Sequence, residues 1–226
     1  MPSVARLTDR LRPTHKYAAA LVGVSLLSLG LASLVDDSVY SLLAKHAPSL
    51  IWIPHARFTF LLVCIVIYFL THKWVQQVTK ATHLRPLTAL GVSIAWLCFA
   101  TAFVFFTRKP SGILQLNDWG DYMSILATGL WGEELLFRGV IFELSEAAWA
   151  DSKRQSIWAI VISGLLASLT HLQYHGFKLE PNAVLQTTLT LPGCLVYSVL
   201  RKYSGGIVLP GIVHFLNNLV STVLLV

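Results

Sequence analysis

The chain has 226 residues, of which 55% are hydrophobic and only 12% charged, and its mean hydropathy is +0.64. Soluble domains carry about twice that charge fraction, so a water-exposed globular surface is excluded and a membrane protein is implied. The net charge of +6 comes from cations set between long apolar runs, a pattern that belongs to topology and lipid headgroups rather than to nucleic acid.

A helix rising about 1.5 Å per residue needs roughly 20 apolar residues to cross about 30 Å of hydrocarbon. Runs of this kind extend from Tyr17 to Val35, Ile51 to Leu70, Leu87 to Phe106, Tyr122 to Leu144, Ser156 to Leu172, Asn182 to Leu200 and Gly206 to Val226. The second is ragged, because Pro54, His55 and Arg57 leave a clean apolar core only from Phe58 to Leu70. The expected fold is therefore all-α: a polytopic membrane bundle of about seven transmembrane helices, or eight with a short or interfacial segment. Residues 1–226 read as a single integral membrane domain with a basic cytoplasmic tail over 1–16, since no repeat or soluble domain interrupts the pattern. Cys64, Cys98 and Cys194 all lie inside apolar runs, where they read as small buried side chains rather than a disulfide framework.

Seven spans alternate the loops between two sides. On one side fall Arg6, Arg10, Arg12, Lys16, Lys73, Lys80, Arg85, Lys153, Arg154, Arg201 and Lys202; on the other fall Lys45, Arg57, Arg108, Lys109 and Lys178. Positive residues collect in the cytoplasm, which puts the N-terminus inside and the C-terminus outside. The first run is long for the apolar segment of a signal peptide and is read as an uncleaved anchor.

The fourth run contains WGEELLFRG, Trp131 to Gly139, with Glu133, Glu134 and Arg138 as intramembrane charges. Each costs about 2.5 to 3.5 kcal/mol at mid-helix on insertion scales, so such residues face a partner or a wet cavity. At about 100° per residue in an α-helix, Glu134 and Arg138 lie roughly 40° apart and can pair, while Glu133 lies roughly 140° from Arg138 and points elsewhere. An unpaired buried carboxylate suits a general base; the alternative is a salt-bridged knot that fixes helix register. Two further histidines stand in apolar surroundings, His171 in LLASLTHLQ and His214 in PGIVHFLNN. Asn218 follows His214 by four residues, about 40° around a helix, with Asn217 roughly 60° off on the other side. A carboxylate, two histidines and an amide on three spans are the groups that activate a water and stabilise an oxyanion. A proton relay or transporter is the rival reading, and it predicts internal repeats that the sequence lacks.

The ordered motifs EELLFR from Glu133 to Arg138, ASLTH from Ala167 to His171, and HFLNN from His214 to Asn218 resemble those of a known family. It comprises the intramembrane proteases that include the type II CAAX prenyl endopeptidases and bacteriocin-processing enzymes, the CPBP or Abi family. The resemblance covers roughly residues 121–226, the protease-motif core, with one departure: the usual Phe of the second motif is Ala167. It implies an endopeptidase in which Glu133 and His171 activate water, His214 and Asn218 stabilise the oxyanion, and Glu134 and Arg138 support the site. No HExxH pair is present, so a metal-free mechanism without cofactor is preferred; zinc held by Glu133, His171 and His214 is the alternative. The implied partners are the bilayer and a membrane-associated peptide or protein, a leader or tail rather than nucleic acid, and the implied location is a bacterial inner membrane. A catalytically silent scaffold or immunity protein of the same family is the remaining alternative.

Pro210, and Pro192 with Gly193, are expected to bend the seventh and sixth spans and open space for a peptide. Measured from the inner ends of the runs, Glu133 and His214 come out about 12 Å deep and His171 about 22 Å, a mismatch of two helical turns.

Overall fold

The computed structural model describes residues 17, 19–20, 22–24, 66, 85–107, 127–150, 152–175 and 177–223. The basic tail, nearly all of the first two predicted spans, Cys64 and the loop between the third and fourth spans lie outside them. Among the described residues every element is helical, and three helices are long and apolar enough to cross a membrane: Pro86–Phe106, Gln155–Leu172 and Pro181–Ser204. Only 22% to 33% of each of these spans is buried within the protein, so most of their apolar surface is left for lipid.

Helix α1, Pro86–Thr107, opens on a proline whose fixed φ and missing N–H suit a first turn. The N–H of Arg85 donates to the carbonyl of Tyr203 at 3.0 Å and ties this start to the end of another helix, while Leu87, Ile94, Phe99 and Phe106 face outward. The fourth predicted span begins as a π-helix, Ala127–Ile141, and runs directly into α2, Phe142–Ala148. Helix α3, Gln155–Leu169, tightens into a 3-10 turn, Thr170–His175. Helix α4, Pro181–Ser204, carries Pro192 in its interior and ends at Gly205, whose φ of 72° is the left-handed cap that an L side chain resists. Helix α5, Val208–Val223, closes the described chain.

The π-helix and α2 form the interior element: residues 132–147 are all buried. The π-helix packs on α3 and α5, and α1 packs against α4 and α5. Leu136, Phe137, Val140, Ile141 and Leu144 cluster with Ala167 of α3 and Cys194 of α4, and Tyr17, Ala20 and Val24 of the first predicted span pack against them. Small residues allow close approach. Ala159, Ser163, Gly164, Ala167 and Ser168 are the buried positions of α3, and a Cβ added at Gly164 would meet Leu195 Cδ2 at 2.7 Å.

Three expectations change. The fourth span does not end near Leu144: α2 carries it to Ala148, because Glu143 and Glu146 are buried opposite cations. Glu133 then stands 15 residues from Ala148, and His171 stands 16 from Gln155, on either side of one short turn. The longer fourth span sets Glu133 about 6 Å deeper and reduces the apparent mismatch with His171. Arg201 and Lys202, counted above as loop charges, lie in the last turn of α4 and pair with Glu143 at 2.9 Å and Glu146 at 3.0 Å. Pro210 sits in the first turn of α5, where its N–H would have no helical partner, so it breaks nothing before His214.

Candidate active site

The site starts from the pitch of the helix that carries the motif. In i→i+5 winding a turn takes about 4.4 residues, roughly 80° each, instead of the α-helical 100°. Glu133 and Glu134 then fall on either side of Arg138, about 50° and 30° away, rather than on different faces. The expectation that Glu133 points elsewhere is thereby corrected: both carboxylates face one wall, and both reach the same histidine. The widened backbone is held from outside. Ser163 Oγ donates to the carbonyl of Phe137 at 2.7 Å, and Arg201 Nε donates to the carbonyl of Arg138 at 2.8 Å.

Arg138 and Glu134 form the expected ion pair, Nη1 to Oε1 at 3.2 Å, with neither side chain exposed. Nη2 of Arg138 also donates to the carbonyl of Cys194 at 3.0 Å, which locks the motif to α4. His214 of α5 completes the constellation. Its Nδ1 lies 3.0 Å from Glu134 Oε1, and since an ionised carboxylate only accepts, Nδ1 carries the proton. Its Nε2 faces Glu133 Oε2 at 3.9 Å, too far for a direct hydrogen bond and near enough for the two groups to interact electrostatically. That Oε2 is buried and, among the described residues, has no hydrogen-bond partner.

His171 sits in the 3-10 turn with Nδ1 3.3 Å from the carbonyl of Ala167. His171 lies near enough to Glu133 and His214 for their charges to act on its ring. Asn218 stands one turn beyond His214 on α5, partly buried, with Asn217 beside it. Glu134 thus contacts both Arg138 and His214, His214 faces Glu133, His171 lies within electrostatic reach of Glu133 and His214, and Asn218 stands on the next turn of α5.

Two features escaped the sequence reading. Tyr197 of α4 stacks on His214 with ring centroids 4.6 Å apart, and Arg138 lies 5.3 Å from the same ring centroid. The Arg201 and Lys202 pairs anchor the end of α4 to α2. For zinc, the sequence named Glu133, His171 and His214. Among the described residues no three His, Cys, Asp or Glu side chains are grouped to hold an ion. His214 gives Nδ1 to Glu134, leaving Nε2 as its one donor to anything else.

This geometry agrees with a comparison of the sequence with family models. Residues 115–220 match the model described as type II CAAX prenyl endopeptidase Rce1-like. Residues 115–220 are similar to that family. No curated protein and no solved structure matches. The match spans all three motifs of the Rce1-like segment, from EELLFR to HFLNN, and lies within a few residues of the 121–226 core read from them.

Proposed function

We propose that the protein is an intramembrane endopeptidase that hydrolyses a peptide bond of a membrane-associated substrate with a water activated by Glu133 and His171. The supporting observation is the buried, unpartnered Glu133 Oε2 facing His214 Nε2 across 3.9 Å, in a segment that is Rce1-like. Charge balance favours proton chemistry there. Glu133, Glu134 and Arg138 carry two negative charges and one positive, and one proton shared with His214 neutralises the buried set.

In this reading Glu133, assisted by His171, takes a proton from water as the oxygen attacks the scissile carbonyl carbon. The oxyanion accepts hydrogen bonds from His214 Nε2–H and the Asn218 carboxamide. Glu133 then returns its proton to the departing amine, so that the acid and amine products form with no net proton change at the enzyme. Glu134 accepts from His214 Nδ1–H and so orients the imidazolium, whose Nε2–H is left for the oxyanion, and Arg138 pairs with Glu134. We keep the metal-free mechanism; zinc on Glu133, His171 and His214 would instead supply a metal-bound nucleophile. The substrate class is a leader peptide or a C-terminal tail at the bilayer. The orientation follows the lysine and arginine bias, with the N-terminus cytoplasmic, the C-terminus outside, and a bacterial inner membrane as the location.

The test is mass spectrometry of membrane peptides from cells carrying the wild type, Glu133→Gln or His171→Ala. A peptide that accumulates uncut in both variants, at normal protein level and helicity, is the expected result. Identical peptide inventories in all three strains would overturn the reading.

A further inference from the structure

We propose that Tyr197 is a positioning residue of this site, whose ring fixes the plane of the His214 imidazole and hence the aim of Nε2 at Glu133. The functional consequence rests on the protease reading above; the geometry does not. A single hydrogen bond, from Nδ1 to Glu134 Oε1 at 3.0 Å, sets one direction of the imidazole but leaves rotation about that bond free. Such rotation would swing Nε2 away from Glu133 Oε2. The Tyr197 ring removes that freedom, lying 4.6 Å from the imidazole centroid at an interplanar angle of 21°.

The tyrosine is itself immobilised. It is 3% exposed, Trp96 of α1 meets it edge-on at 6.4 Å and 88°, and the Arg138 guanidinium lies 5.3 Å from its centroid. One ring therefore contacts the histidine of the third motif and the arginine of the first, although α4 carries neither motif. Aromatic and cationic contacts of this kind are directional, so the ring specifies orientation as well as filling space.

The experiment compares the full-length wild type with Tyr197→Phe, which keeps the ring, and Tyr197→Leu, which removes it. Leu200→Ala serves as the control, because Leu200 is fully buried in the same α4 cluster. Two readouts are taken in lipid nanodiscs. The first is the nitrogen-15 NMR signal of His214 Nδ1, assigned through His214→Gln. The second is turnover of a fluorogenic copy of the peptide recovered uncut from Glu133→Gln cells. Tyr197→Phe is expected to match the wild type in both. Tyr197→Leu is expected to broaden or shift the His214 signal and lower kcat roughly 10- to 100-fold with little change in KM, the scale of effect that a misaimed group produces. Leu200→Ala should move neither readout at a comparable loss of thermal stability. A Tyr197→Leu protein with an unchanged His214 signal, or a Leu200→Ala protein with the same kinetic defect, overturns the proposal. If the NMR signals respond as expected while the wild type cleaves no membrane peptide, the positioning role stands and the protease reading falls.

Discussion

Replacing Arg138 with Met tests the central ion pair. The side chain is fully buried, pairs with Glu134 at 3.2 Å and donates to the Cys194 carbonyl at 3.0 Å. Its removal leaves the Glu134 carboxylate buried with His214 as its remaining partner, and breaking one side of such a pair costs about 3 to 5 kcal/mol. The lost hydrogen bond to Cys194 lies within that range rather than adding in full, because one guanidinium makes both contacts. The double variant Glu134→Gln, Arg138→Met removes both charges and should cost about 1 to 2 kcal/mol, less than the single Arg138→Met change. The assay is reversible unfolding in mixed micelles followed by circular dichroism, with all four corners of the double-mutant cycle measured. A cost below about 1 kcal/mol for Arg138→Met, or a double variant as unstable as the sum of the singles, would refute the pairing argument.

Gly164→Ala should destabilise the protein by about 1 to 3 kcal/mol in the same assay, since its new Cβ would lie 3.1 Å from the Leu195 Cα as well as 2.7 Å from that side chain. Lys202→Met should cost about 1 to 3 kcal/mol, because it takes the 3.0 Å partner from a Glu146 side chain that is only 6% exposed, while the lysine itself is 24% exposed. If the metal-free mechanism holds, exhaustive dialysis against a zinc chelator should leave turnover unchanged within about twofold; a loss restored by zinc would assign the metal. Asn218→Ala should lower kcat by about 10²- to 10³-fold with normal folding, the scale of losing one oxyanion donor.

Much of the helical frame was legible because lipid imposes a length. The run from Leu87 to Phe106 is α1 within a residue at each end, and Asn182 to Leu200 lies inside α4. Of the residues that the motifs named, the fold sets Glu134 between Arg138 and His214, with His214 facing Glu133. Helix pitch was not legible: a segment buried all round has no polar face whose period would separate i→i+4 from i→i+5 winding. The boundary after Leu144 failed for a related reason, as Glu143 and Glu146 end an apolar run in sequence but continue a buried helix by pairing with Arg201 and Lys202. Tyr197 gave no signal, since an aromatic in an apolar span is ordinary until a histidine 17 residues later is found against its ring.

The π-winding around Glu133 has a cost in girth that the neighbouring helix meets. A helix with more residues per turn is a thicker cylinder, and in a close-packed bundle thickness on one side demands slenderness on the other. Ala167 is fully buried in one cluster with Leu136, Phe137 and Val140, and Ser163 Oγ donates to the Phe137 carbonyl. A phenyl ring at position 167 would claim the volume into which the wide helix swells. Alanine at this position leaves clearance for the wide helix, one helical turn before His171.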